Sequence, residues 1–410
     1  MSPSTQLYFP KISFFEYLLI FIFIVCCGFT SANIIPAKVY FLTLCGICYH
    51  AQYFKKEKFP YATLFVLIGG TIIVAIEHFT VFNLLDKGTI EKIPILLGGF
   101  SVMTILKSKF PYAYFNAIYI LSLISIIFFI LMQTTNIIID ISFLNSNSAY
   151  QGFFIYNIRN GEIILGRNCG PFWEPGAFAG YITIAFILFF NNWRLLYKYH
   201  KFKCLILIFT LLTTFSSQGY IVAFLLIASK YLLQLKKKNM FVVSIGITLF
   251  ISVSVFTFNK MDFLREKMVN QLELAENWED DKSLHSANRF TTTLLDLDII
   301  SKYLFFGKTN DHNILYEDYP FIIKYYVNED GSYGSGSGMT GFIASNGIIL
   351  FLLWLFPTIK SFKIYYGNMK VAFILLTIVF ALGQGEAYLA YILFWSFPFL
   401  YLCKYTIPKS

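Results

Sequence analysis

The sequence predicts an all-α polytopic membrane protein, and three observations predict it. Of 410 residues, 57% are hydrophobic and only 13% are charged, roughly half the charged share of a soluble domain. The apolar residues gather in runs long enough to cross a bilayer. Phe (47 residues) and Tyr (28) are abundant, as suits lipid-facing helices with aromatic belts. Core burial cannot hide this many apolar side chains in a water-soluble fold. A soluble enzyme, a disordered chain and a collagen-like fibre are therefore excluded.

Apolar runs of spanning length fall at 12–30, 34–52, 60–80, 90–106, 112–133, 174–192, 202–217, 218–235, 240–258, 339–358, 369–383 and 386–404, which predicts about twelve transmembrane helices. The first follows one cation, Lys11, with no small-residue cleavage site after it. It reads as a retained span and not as a cleaved signal peptide. Two stretches are too long to be plain connectors. The chain then divides into helices 1–5 (1–133), a first long loop (134–173), helices 6–9 (174–258), a large loop with an amphipathic helix (259–338) and helices 10–12 (339–410). No repeat of fixed period is visible, which disfavours an inverted-repeat transporter.

Charge orients the chain. With the N-terminus inside, the alternate loops from Lys11 to Lys409 hold eighteen Lys and Arg, with Glu57 as their one acid. That asymmetry is what the positive-inside rule expects, so both termini are expected in the cytoplasm and the two long loops outside. The net charge of +9 then reflects this bias and contact with anionic lipid, with no nucleic acid implied. Of seven cysteines, only Cys169 lies in a long polar loop, so no disulfide framework is expected. Cys45-x-x-Cys48 has zinc-like spacing but lies mid-helix without a second ligand pair, and no metal or cofactor is expected.

Three clusters could carry chemistry. In the run Arg167-Asn168-Cys169-Gly170-Pro171-Phe172-Trp173-Glu174-Pro175-Gly176, Pro175 suits the first turn of a helix and Glu174 its N-cap. The free N–H groups behind them, with Arg167 upstream, offer a place for an anion at the lipid interface; an ordinary helix start with an interfacial Trp explains the same residues. The second cluster is a helix over 282–303. There His285 and Arg289 share a face, Asp296 falls near the same line, and Leu294, Leu295, Leu297, Ile299 and Ile300 supply the apolar side. Asp296-Leu297-Asp298 has the spacing of a D-x-D cation motif, but residues two apart on a helix point to different sides. The third is Asp311-His312-Asn313, where an imidazole could act as a base near neutral pH or be a plain surface residue. A Gly/Ser stretch over 331–338 follows as a hinge or lid. Ionisable groups inside apolar runs are few: Glu16 reads as embedded close to the cytoplasmic edge, while Glu77, His78 and Glu386 fall near outer helix ends and Lys230 towards the inside. A coupled transporter would place paired carboxylates at mid-bilayer.

The run Arg167-x-x-Gly170-x-Phe172-x-Glu174-Pro175-Gly176-x-Phe178-Ala179 resembles the signature of bacterial O-antigen and capsule repeat-unit polymerases. Ser216-Ser217-Gln218-Gly219-Tyr220 resembles that family's short Ser/Thr-Gly turn. Arg289 followed by Phe306-Gly307 resembles its outer-loop arginine and later F/L-x-G, and Gly347-Ile348-Ile349 resembles its Gly-Ile-Ile. The resemblance implies a GT-C-like helical fold in the bacterial inner membrane, acting on its periplasmic face on undecaprenyl-pyrophosphate-linked oligosaccharide, without a metal. It also implies a flippase and a chain-length regulator as partners. In that light Arg167, Arg289 and Arg159 are candidates for the pyrophosphate, with His285 beside them. Glu174 or His312 is the candidate base, and Gly170, Pro175 and Gly176 shape the motif. The O-antigen ligases more often carry Pro-Asn where this chain has Glu174-Pro175, whereas His312-Asn313 resembles a pair typical of ligases. Ligase remains an alternative reading, as does a flippase or transporter of lipid-linked oligosaccharide.

Overall fold

A computed structural model describes residues 9–29, 42–47, 49–50, 61–83, 85–135, 143–144, 150–153, 155–159, 166–234, 289–319, 322–323 and 338–404. Helix dominates them. The helices are α1 (Phe14–Val25), α2 (Tyr61–Phe82), α3 (Lys87–Ile90), α4 (Lys92–Leu106), α5 (Phe110–Thr134), α6 (Pro175–Leu188), α7 (Trp193–Thr213), α8 (Ser217–Gln234), α9 (Arg289–Lys302), α10 (His312–Leu315), α11 (Gly338–Tyr366), α12 (Met369–Gly385) and α13 (Ile392–Ser396). His285, Cys48, the run at 240–258 and the Gly/Ser residues 331–337 lie outside the described residues.

Three helical stretches are long and apolar enough to cross a membrane: Tyr61–Phe82, Lys87–Thr134 and Gly338–Tyr366. A fourth is reached if Pro175–Leu188 and Phe190–Thr213, bent by 66°, form one broken span. This is a helical protein with membrane-spanning potential, and the described residues do not show twelve spans. Several expected spans fold as shorter pieces. The run at 174–192 is a fourteen-residue helix that stops at Leu188. The run at 386–404 breaks into a 3-10 turn at Tyr388–Ala390, the five-residue α13 and a 3-10 segment at Phe397–Cys403. Both are almost wholly buried against other helices, so their hydrophobicity serves the protein core.

The first long loop contains a small three-stranded antiparallel sheet, β1 (Phe143–Leu144), β2 (Tyr150–Phe153) and β3 (Tyr156–Arg159), which the sequence reading did not anticipate. Tyr156 stacks on Phe128 at 5.3 Å and, with Ile158 and Met132, forms a small apolar cluster on the end of α5. Glu16 lies in the first turn of α1, at the edge of the apolar run. It closes a capping box with Ser13 at the start of α1 and pairs with Lys109 at 2.7 Å, so it is a helix-start acid with a partner. That pair, with Phe9 against Tyr112 and Tyr199 and Asn191 bonded to the Tyr366 carbonyl, gathers the lysine-rich turns at one end of the bundle. Phe29, Phe172 and the loop before α6 meet at the other.

In α9 the buried face is Thr292, Leu295, Asp296 and Ile299, while Leu294 and Leu297 are 40% and 49% exposed. The expected apolar side was therefore too broad: the helix buries one i, i+3, i+4, i+7 stripe, and Asp296 belongs to it. Its carboxylate accepts from Tyr316 Oη at 3.0 Å and Thr340 Oγ1 at 3.1 Å, which satisfies it in the interior. Asp298 points outward to Lys302 and Tyr319, as expected for residues two apart.

α11 is broken at Gly347, whose φ is +77°. The break admits the chain at 304–308. Ile348 N–H donates to the Leu304 carbonyl at 2.8 Å, Ile349 N–H to Phe305 at 3.2 Å, and Lys308 N–H to the Ala344 carbonyl at 2.8 Å. The N–H groups freed by ending one helical segment and starting another are thus satisfied inside the protein. A Cβ at position 347 would stand 2.1 Å from the Phe305 carbonyl oxygen. Gly347→Ala combines left-handed backbone with that collision. It is expected to lower the thermal midpoint in detergent, with the backbone conformation alone costing about 1–3 kcal/mol. Gly69→Ala in α2, where an added Cβ meets nothing within 4 Å, is the control. It should be neutral or stabilising by up to about 1 kcal/mol. Equal midpoints for the two variants would show that the break does not need glycine.

Candidate active site

The arginine motif folds as a buttressed loop ahead of α6. Asn157 N–H donates to the Gly170 carbonyl at 2.6 Å, and its side chain donates to the Phe172 carbonyl at 3.0 Å. Asn168, fully buried, donates to Thr213 Oγ1 at 3.0 Å and accepts from Gly170 N–H at 3.0 Å. Gly170 turns the chain at φ +54°, and a Cβ there would meet the Phe178 ring at 2.6 Å. Phe172 stacks on Tyr181 at 4.3 Å. Glu174 is the N-cap and Pro175 opens the helix, as the residue order predicts.

Arg167 Nε donates to the Thr214 carbonyl at 3.2 Å. Thr214 opens the turn into α8, where Ser216 Oγ accepts from Gly219 N–H at 3.1 Å as an N-cap. A Cβ on Gly219 would stand 2.4 Å from that of Ala179. The two stretches singled out in the sequence, 167–180 and 216–220, are therefore one spatial unit.

A third segment completes it. Glu386, 4% exposed, ends α12 and accepts from Trp173 Nε1 at 3.1 Å. Its Oε1 lies against Gly176, where a Cβ would be only 2.5 Å away. The carboxylate thus covers the first turn of α6, where the helix dipole favours negative charge. Glu174 makes no side-chain cap bond to that helix. To the two readings of this helix start, a place for an anion or an ordinary start with an interfacial Trp, the structure adds a carboxylate from a distant segment beside the first turn. Tyr388 Oη bonds to the Gly176 and Ala177 carbonyls at 3.2 and 3.0 Å, and Tyr391 stacks on Trp173 at 4.6 Å. The sequence places Glu386 near an outer helix end and Trp173 in the motif as an interfacial ring, but assigns neither to the site. The available signal was an acid after Gly385 at the end of an apolar run, followed by Tyr388 and Tyr391.

The remaining candidates lie to one side. Arg289 opens α9 one turn before Thr293, and Thr293 Oγ1 meets Gln384 Nε2 at 3.4 Å. That brings the backbone of Arg289 towards the Glu386 segment. Arg159 ends β3, paired in register with Tyr150. His312 starts the short α10, capped by Asp311, and its ring stacks on Tyr316 at 6.1 Å. Tyr316 connects onward through Asp296 to Thr340, which meets Gln384 at 3.3 Å. His312 is thus joined to the Glu386 segment by a chain of contacts. Among the described residues no group of three or more His, Cys, Asp or Glu could hold a metal.

The segment before His312 is tied down by a buried polar network that the sequence did not disclose. Asp86, 2% exposed, accepts from His78 Nδ1 at 2.9 Å, from Thr89 N–H and Oγ1, from Thr309 Oγ1, and from Asn310 N–H at 2.8 Å. Lys92 Nζ donates to the Asn310 side chain at 3.1 Å, and Asn310 donates to Asn346 at 3.0 Å. Burial alone would raise the Asp86 pKa. The bonds from His78 and Asn310 and the charge of Lys92 outweigh it and hold the carboxyl well below the usual range.

No family model matches the chain, and no curated protein matches it either.

Proposed function

We propose that the chain is a surface-polysaccharide polymerase, a glycosyltransferase that uses an undecaprenyl-pyrophosphate-linked glycan as donor. The observation that carries the reading is the union of the arginine motif with the Ser216–Tyr220 turn through Arg167 and Thr214. Two stretches that resemble the polymerase family also form one site. The Phe306-Gly307 and Gly347-Ile348 pair adds a second such junction.

In the reaction, a hydroxyl of the lipid-linked repeat unit attacks the anomeric carbon of the growing glycan. The new glycosidic C–O bond forms with inversion. The bond from the anomeric carbon to the pyrophosphate breaks, and its electron pair leaves on the pyrophosphate oxygen. Glu174 or His312 takes the hydroxyl proton. Arg167, Arg289 and Arg159 stabilise the charge developing on the leaving group, a task suited to a permanently charged, forked donor. Glu386 serves as a positioning residue that orients Trp173 and the start of α6. Because its carboxylate already covers that helix start, the arginines carry the phosphate charge. A twelve-span, GT-C-like architecture, cytoplasmic termini, a periplasmic site, and a flippase and chain-length regulator as partners belong to the same proposal.

The test supplies purified protein with a lipid-linked repeat unit from the same organism and separates the products on a gel. A ladder of products that survives EDTA and disappears in Arg289→Ala is expected. The His312-Asn313 pair favours one competing reading, transfer to lipid A–core by a ligase. A single product formed only when lipid A–core is added would replace polymerase by ligase, and no product of either kind would reject both.

A further inference from the structure

At the lysine-rich end of the bundle, α7 and α8 frame a cavity of about 500 Å³ with Arg194, Lys198 and Lys230 in its wall beside Trp193, Tyr197 and Tyr231. Among the described residues no carboxylate lines it. Lys230 Nζ is held by the Phe190 carbonyl, and Arg194 and Lys198 are exposed with no ion pair among the described residues. Three cations grouped without an acid call for an anion.

A second cavity of about 300 Å³ adjoins it, with Trp193 and Ile227 lining both. Its walls are apolar: Ile208, Leu211 and Leu212 on α7 face Ala223 and Leu226 on α8, over Phe186 of α6. From Tyr231 to Tyr220 the two cavities follow α8 for about 16 Å at the helical rise, close to one leaflet of a ~30 Å hydrocarbon core. Leu212 and Ile227, at 53% and 44% exposed, leave the groove open at the side.

We infer that these adjoining cavities bind one anionic phospholipid, its phosphate among Arg194, Lys198 and Lys230 and an acyl chain along the α7–α8 groove. Charge selects the headgroup, since juxtamembrane cations attract anionic lipid. Tyr197, Tyr231 and Trp193 have the amphipathic rings that favour the headgroup level. The apolar groove selects a chain-bearing molecule over a free phosphate. The cationic end of the site lies away from the arginine motif, while the far end of the groove reaches Tyr220 of the α8 turn; the inference does not depend on the polymerase reading.

The test is a thermal-shift titration of the detergent-purified full chain, with native mass spectrometry for stoichiometry. The probes are phosphatidylglycerol, phosphatidylcholine with the same acyl chains, and glycerol 3-phosphate. Phosphatidylglycerol should bind one per chain and raise the midpoint, and the other two should not. Arg194→Gln/Lys198→Gln should keep the lipid-free midpoint and bind phosphatidylglycerol about thirtyfold more weakly, from the loss of two headgroup charges. Ala223→Phe, which fills the groove, should weaken binding with the cations intact. Equal shifts by phosphatidylcholine, an equal shift by glycerol 3-phosphate, or wild-type phosphatidylglycerol affinity in the double variant would each overturn the proposal.

Discussion

Replacing Arg167 with alanine is expected to cut polymer formation by about 100- to 1,000-fold, the loss seen when one fixed donor is removed from a developing oxyanion. The protein should remain in the membrane at normal abundance. Arg167 has two duties that the substitution removes together: its charge, and the Nε bond to the Thr214 carbonyl that ties the motif loop to the α8 turn. Arg167→Gln separates them, because an amide N–H can still donate to Thr214 while the charge is gone. If charge on the leaving pyrophosphate is what matters, the glutamine variant should be nearly as inactive as alanine while its thermal midpoint stays near wild type. Arg167→Lys should recover part of the rate, since a point charge without the fork binds phosphate less well. Wild-type polymer length in Arg167→Gln would remove the residue from the catalytic assignment and leave it as a strut.

Asp86→Ala is expected to be the most destabilising single change in the structure. The carboxylate accepts from His78, Thr89, Thr309 and Asn310; alanine removes this shared acceptor and takes away the buried negative charge beside Lys92, whose ammonium stays bonded to Gly88 and Asn310. Breaking such a buried charged network by removing one partner costs about 3–5 kcal/mol. The buried cysteines Cys27, Cys169 and Cys403 allow a direct measurement, because thiol labelling on heating reports when the interior opens. A midpoint equal to wild type would show the network to be energetically idle. The same network predicts a pH dependence. The folded Asp86 pKa lies below the ordinary carboxylate value, so its stabilisation is fully present at neutral pH. It begins to fall only as pH drops below about 4, where the unfolded carboxylate would take up a proton. Asp86→Ala should flatten the midpoint-versus-pH curve in that acid range. Because Thr309 and Asn310 immediately precede Asp311-His312, the variant should also loosen the segment that carries the candidate base.

The sequence by itself determined the helical class, the start of α6 at Glu174-Pro175, the opposed directions of Asp296 and Asp298, and the presence of the arginine motif. Each follows from local rules: hydrophobic run length, the proline at the first helical turn, and the angle between residues two apart on a helix. Tertiary structure decided the rest. Apolar run length does not distinguish a helix that meets lipid from one covered by its neighbours: 174–192 folds as a buried helix that could be half of a broken span, and 386–404 as short buried pieces. Periodicity counted Leu294 and Leu297 into the buried side of α9, but its partners cover a narrower stripe. The placement of Glu386 over α6, and of Asp86 among Thr309, Asn310 and Asn346, depends on chain segments far apart in sequence. Only packing brings such segments together. A buried carboxylate can be tolerated only where donors from those distant segments converge on it.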